Sequence, residues 1–362
     1  MSSTSTFAAR SGIRIPAPAL VIPLVAIVAS FAVGFALMDV TGSSISDAIA
    51  AFAQGAFGSP YAIGTSLNRA IALGLVGLGF ILAERANLIN VGGEGQIAMG
   101  GIFATAVALY GGVAGLPFGL SVLLPVLAGT LAAAAWGALA GLMKIRFGTN
   151  EVISTLLLNF IALLLVYWSV QSVHLLRQPA TFAGTLPQSL SVPDSTELPL
   201  LTGDPSDPIH IGAVVAIILA IITAIVLRRS AFGLKLKAIG LNPLASRRAG
   251  IRTNLLTVLV LGLSGAFGGL AGTMMLLGNQ DYLTAGFSSG YGFDGLVVGL
   301  LSRGSVLGVV AVAIFFGFLR SGGISMQIAA HVPAALVTIV QGIIVVAIAG
   351  SAILIDRTSR RA

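Results

Sequence analysis

The stretch IHIGAVVAIILAIITAIVLRRSAFGLKLKAIGLNPLASRRAGIRTN, residues 209–254, joins two unlike kinds of chain. Its first part, about 209–227, is an unbroken apolar run close to the ~20 residues that cross a hydrocarbon layer as a helix. Its second part carries Arg228, Arg229, Lys235, Lys237, Arg247, Arg248 and Arg252 before apolar sequence resumes near 254. Within that basic segment, GLNPLASRRAGI (240–251) is specified as a short helix at both ends. Asn242 suits the N-cap, Pro243 the first helical position, and Gly250 the left-handed position just past the end. A lipid anchor needs charge but no defined start or stop, so the caps ask for another explanation. For Arg228 and Arg229, at the end of the apolar run, headgroup anchoring is explanation enough.

Composition extends the membrane reading to the whole chain. Of 362 residues, 56% are hydrophobic and 9% charged, with a mean hydropathy of +1.02. This excludes a soluble core and predicts an all-α, polytopic transmembrane helical bundle. Ten hydrophobic segments can be marked, at about 17–38, 64–83, 92–110, 117–143, 151–171, 209–227, 254–277, 291–302, 304–322 and 333–354. The eighth is too short to cross alone, so the roughly ten spans include broken or short helices. The run 17–38 has no convincing cleavage site before Asp39 and reads as a retained span.

With the N-terminus inside and ten crossings, all of the 19 basic residues except Arg69, Arg177 and Arg320 fall on the cytoplasmic side. The net charge of +7 is then topological, and no nucleic-acid partner is expected. The expected organisation is a cytoplasmic tail 1–16, a membrane domain 17–355 and a cytoplasmic tail 356–362. Residues 172–208 form an external loop and 228–253 a cytoplasmic one. The external segments 39–63 and 172–208, rich in Ser, Thr, Pro, Gly and acids, are placed to meet a partner outside.

Several chemistries are absent. There is no cysteine, and His174, His210 and His331 lie too far apart in sequence for a local metal site. No G-x-x-x-x-G-K-[ST] sequence occurs, so the chain has no phosphate loop of its own. No catalytic constellation and no cofactor site can be marked. Glycines four apart, Gly137 and Gly141, Gly265 and Gly269, Gly268 and Gly272, Gly295 and Gly299, Gly304 and Gly308, read as close-packing seams between helices.

The polar residues inside the apolar segments are the site candidates. NVGGEGQ (90–96) sets Glu94 among glycines that permit an irregular backbone, with Asn90 and Gln96 beside it. Glu94 either lines a substrate path, holds a broken helix by hydrogen bonding, or couples an ion. In GYGFDG (290–295), Asp294 follows Tyr291 and Phe293; the trio suits a flat base and ribose hydroxyls, though aromatics in spans more often face lipid or core. Asn159 suits an interhelical hydrogen bond. Glu151 needs no functional role, since Thr149 or Asn150 caps a helix whose first turn favours an acid.

The run GLKLKAIGLNPLASRRAGI (233–251) resembles the cytoplasmic coupling loop of permease subunits in bacterial ATP-binding cassette importers, in the group serving nucleosides, ribose-like sugars and branched-chain amino acids. SPYAIGTSL (59–67), NLINVGGEGQ (87–96), NEVISTLLLNFIAL (150–163), LSGAFGGLAGTMMLLG (263–278) and GYGFDGLVVGLL (290–301) resemble its nucleoside branch, in order. Lys237 and Ser246 depart mildly from the usual Arg and Ala. The resemblance implies a fold and a division of labour. The chain would pair with a second homologous permease, a heterodimer being expected, and would sit in lipid. It would dock a partner ATPase that uses ATP, through Gly240, Asn242, Pro243, Leu244, Arg247, Arg248, Gly250 and Ile251. An extracytoplasmic binding protein would supply substrate. The alternative from the residues alone is an ion-coupled secondary transporter using Glu94 or Asp294.

Overall fold

A computed structural model describes residues 44–179, 187–359 and isolated positions from Val25 to Ala36. The expected first span and the tail 1–16 fall largely outside these residues. The chain divides into two compact units, one of Ala50–Ser325 and one of Met1–Ile49 with Met326–Ala362. Among the described residues the architecture is helical, with isolated β-bridges only.

Twelve α-helices follow one another among the described residues: α1 Ile45–Phe57, α2 Pro60–Glu84, α3 Gly93–Tyr110, α4 Phe118–Phe147, α5 Glu151–Gln171, α6 Gly212–Arg229, α7 Ala231–Leu241, α8 Pro243–Arg248, α9 Thr253–Met275, α10 Tyr291–Leu301, α11 Val306–Ala329 and α12 Ala334–Ser359. Six helices, α2, α4, α5, α6, α9 (with the turn that follows it) and α11, are long and apolar enough to span a membrane. α10 is apolar but short, as the eighth segment anticipated. α3, with Glu94 and Gln96 in its first turn, is not among the six. Hydrophobic runs thus located the helices, and among the described residues length and composition mark six complete spans.

The core of the larger unit is the packing of α9 on α4, α3 and α2. Small residues make this possible. A Cβ on Gly265 would lie 2.4 Å from the Ala133 carbonyl, one on Gly137 2.4 Å from that of Leu261, and one on Gly100 2.4 Å from that of Gly269. Backbones therefore touch where helices cross, the arrangement expected when dispersion must replace the hydrophobic effect in lipid. Gly304 differs: its φ of +71° makes it a left-handed turn residue rather than part of a seam.

The segment 39–63, expected as loop, contains α1. Its period-3.6 small and apolar residues were masked by the polar composition around them. Within the larger unit Phe57 stacks on Phe318 with centroids 4.8 Å apart, and Gly55 and Phe52 lie against Ser325 and Gly322.

The described part of the external loop is tied down. Val192 N–H donates to the Asp281 carbonyl at 2.7 Å, Leu198 N–H to that of Leu277 at 2.7 Å, and Ser189 N–H to that of Leu283 at 2.9 Å. The receiving segment follows α9 through a π-helical turn, Leu276–Gln280. Burial raises the carboxyl pKa values of Glu197 and Asp281, and repulsion from neighbouring acids adds to it. His210, 1% exposed, accepts from Gly212 N–H through Nδ1 at 3.1 Å. Burial lowers its pKa from 6.5 to about 4. The unfolded histidine thus takes up a proton below pH 6.5 while the folded one stays neutral. Stability should fall as pH drops through that window, by up to about 1.4 kcal/mol per pH unit. Thermal melts of the purified protein at pH 7.5 and 5.5 should show this slope, and His210→Phe should remove it.

Candidate functional site

Two helices, one of 18 and one of 11 residues, meet by their N-termini. α3 begins at Gly93 and α10 at Tyr291, and Gly292 lies so close that a Cβ there would fall 2.0 Å from the Glu94 amide nitrogen. Both helices bring positive dipole ends and unsatisfied N–H groups to this junction. Glu94, 4% exposed, answers both needs. Its Oε1 accepts from Gly290 N–H at 2.8 Å and its Oε2 from Gly292 N–H at 2.7 Å. Charge-assisted bonds to two amides stabilise a carboxylate that would otherwise be costly at this depth.

The chain entering α3 is held by amides. Asn90 donates to Ser264 Oγ at 2.7 Å and to Gln96 Oε1 at 3.1 Å, and its own Oδ1 accepts from Gly92 N–H at 2.8 Å. Asn159, from α5, accepts from Gly95 N–H and donates to the Val91 carbonyl, both at 2.8 Å. Thr155 Oγ1 accepts from Val91 N–H at 3.2 Å. These side chains replace the backbone bonds that an interrupted helix gives up, which lets irregular backbone persist inside the bundle. Asn90, Glu94, Gln96 and Asn159 are therefore brought together, and each is occupied by the break itself.

A second cluster lies one turn into α10. Asp294 pairs with Arg320 of α11, which also donates to the Ser289 carbonyl. The guanidinium sits 3.9 Å from the centroid of the Tyr291 ring, a cation–π contact. Arg69 of α2 donates to Ser321, the next residue on α11. Tyr291 is 8% exposed, its ring face covered by Arg320, whereas Phe293 is 41% exposed. Arg320 was legible in FFGFLRSGG (315–323) as a charge within an apolar run, but counting it as an outside residue hid its need for a counter-ion. Ser264, Thr155 and Gly292 gave no comparable signal, because only the fold sets them beside the break.

Basic residues gather around α7 and α8. Ser230 caps α7, its Oγ accepting from Gly233 N–H at 3.0 Å, and Asn242 caps α8, its Oδ1 accepting from Ala245 N–H at 3.0 Å. α8 closes as a Schellman turn, with Ile251 N–H donating to the Ser246 carbonyl and Gly250 N–H to that of Arg247, both at 3.0 Å, and Gly250 at φ +80°. Gly240 sets α7 against Arg85; a Cβ there would be 2.7 Å from the Arg85 carbonyl. Leu241 and Leu244 are 78% and 71% exposed, and Arg248 is exposed beside them. Arg247 does not share that freedom: Nε donates to Thr253 Oγ1 at 2.7 Å and a terminal nitrogen to Asn254 Oδ1 at 2.6 Å. It braces α8 to the start of α9. At the nearby start of α5, Asn150 caps the helix through Val152 N–H at 2.8 Å, and Glu151 pairs with Lys144.

Six helices long and apolar enough to span, a buried break held by glycines and amides, and a rigid basic helix pair define a multi-pass membrane permease. The chain belongs to the family of branched-chain amino acid transport system permease components, which it matches over residues 62–349. It is 35% identical over 336 residues to the guanosine ABC transporter permease protein NupP of Bacillus subtilis, covering 92% of this chain and 93% of that one. To the glucose ABC transporter permease protein TsgB13 of Haloferax volcanii it is 32% identical, covering 89% and 85% of the two chains. To the nucleoside ABC transporter permease protein NupB of Lactococcus lactis it is 30% identical, covering 85% and 84%. No solved structure gives a match.

Proposed function

We propose that this chain is the permease subunit of an ATP-binding cassette importer that moves nucleosides or related simple sugars into the cytoplasm. The observation that carries the reading is α8: a helix of six residues, capped at both ends and braced by Arg247, that displays Leu244 and Arg248 on the basic end. Rigidity at a protruding helix suits transmission of force to the bundle, which anchoring in headgroups does not require. The substrate class follows the relatives named for guanosine, nucleosides and glucose.

In this account the chain crosses the inner membrane about ten times with both termini cytoplasmic. It pairs with a second homologous permease, receives substrate from an extracytoplasmic binding protein, and docks an ATPase on 228–253. ATP is bound and hydrolysed by that partner, and this chain holds no cofactor and performs no covalent chemistry. Closure of the ATPase pushes on α8 and rocks the spans between two openings. The junction at Glu94 is a fixed point of the bundle, and the path runs past Phe293 and Asp294. Ion coupling through Glu94 is disfavoured because both of its oxygens are bonded to amides.

Arg248→Glu should lower ATPase co-purification at least tenfold while insertion and thermal stability of the permease stay unchanged. Arg247→Glu should lower both, since it also breaks the brace to Thr253 and Asn254. Equal co-purification of wild type and Arg248→Glu would count against docking at α8.

A further inference from the structure

We infer that Asp294 is the group of the path that recognises substrate hydroxyls, and that Arg320 is a fixed partner which surrenders it to a vicinal diol. This rests on the importer reading above and adds to it the part of the solute that is recognised and the residue that controls access.

The asymmetry of the ion pair carries the argument. Arg320 is anchored three times, to Asp294, to the Ser289 carbonyl and over the Tyr291 ring. Asp294 is bonded to Arg320 through Oδ2, and among the described residues its Oδ1 has no hydrogen-bond partner. The acid is also the more open of the two, with its side chain 32% exposed against 17% for the arginine. Losing Asp294 leaves the guanidinium with a carbonyl and an aromatic face, whereas losing Arg320 leaves the carboxylate with nothing. An acid held by one movable bond and carrying a spare acceptor oxygen is suited to exchange.

Depth explains why the pair needs a role. α10 has 11 residues, so it is about 16 Å long, half of a hydrocarbon core, and Asp294 lies in its first turn. Exposure of a carboxylate there requires water or another polar surface rather than lipid. A part-buried pair is also a weak contributor to stability, so fold maintenance alone is a weak reason for it. The other acid at the break is no substitute, because both oxygens of Glu94 are committed to Gly290 and Gly292.

The ligand chemistry follows from the acceptor. A carboxylate with two oxygens can accept from two adjacent hydroxyls at once, as the 2′- and 3′-hydroxyls of a ribose or neighbouring hydroxyls of a hexose present them. Nucleosides and sugars share that element, so a single residue can serve both. Tyr291 is excluded as a stacking surface for a base by the guanidinium that covers it.

The test uses the complete importer in proteoliposomes with ATP on the ATPase side. The binding protein is saturated in turn with guanosine and with 3′-deoxyguanosine, so that its own preference drops out. Wild type should transport guanosine at least tenfold faster at saturation. Asp294→Asn should slow guanosine at least tenfold and change the deoxy analogue less than threefold, collapsing the ratio. A merely structural defect would slow both equally and leave the ratio intact, which would overturn the inference. Should Asp294→Asn fail to assemble with the ATPase, Asp294→Ser, which likewise removes the carboxylate, carries the same test with the same two outcomes. A wild-type importer that assembles and hydrolyses ATP but moves neither nucleosides nor sugars would instead remove the underlying reading.

Discussion

Glu94→Ala should abolish transport and lower the thermal stability of the purified permease more than any other single polar substitution in the bundle. The carboxylate satisfies Gly290 N–H and Gly292 N–H, and it faces the positive ends of both α3 and α10. Removing it leaves the buried Gly292 N–H and the part-buried Gly290 N–H without partners, and two dipole ends without a counter-charge. An orphaned buried donor costs about 1–3 kcal/mol and a part-buried one less, so the loss is about 2–5 kcal/mol. Glu94→Gln keeps one good acceptor and should lose roughly half as much. Melting followed in detergent separates the three proteins, and an alanine variant that melts with wild type would show that the junction is held by something else.

Gly292→Ala should prevent accumulation of folded protein. The added methyl carbon would lie 2.0 Å from the Glu94 nitrogen and 2.4 Å from its Cα, so relief requires moving backbone rather than a side chain. Separating the junction would also break the two bonds to Glu94, and the two costs add. Gly286→Ala is the control, because nothing lies within 4 Å of a Cβ there and its backbone is not in the left-handed region. Fluorescence-detected size-exclusion of tagged variants should show a monodisperse peak for Gly286→Ala and none for Gly292→Ala.

What the sequence disclosed, and what it hid, follows from the range of the forces involved. The caps of α8 were legible because Asn242, Pro243 and Gly250 act within one turn of themselves. The break before α3 was legible as glycines around an acid, but the partner of that acid was not. Glu94 bonds to backbone nearly 200 residues away, and backbone amides carry no sequence signature. The same holds for Arg247, whose exposure on a basic loop suggested display until Thr253 and Asn254 were seen to hold it. Arg320 was in plain view, and the pairing requirement of an intramembrane charge would have directed the search to Asp294. α1 was missed because its polar surroundings outweighed its periodicity. The number of crossings was the least legible feature, since hydrophobic runs do not distinguish a full span from a half-helix such as α10 buried against α2 and α3.

The central claim, that this chain is a passive conduit driven by a separate ATPase, is tested most directly by uptake of labelled nucleosides and simple sugars. Cells would express the chain alone, then with its second permease, ATPase and binding protein. The account predicts uptake in the complete set only, abolished when the ATPase is made catalytically dead and unaffected by a protonophore while ATP is maintained. Equal uptake by the chain alone, collapsed by the protonophore, would contradict it and assign transport to an ion gradient.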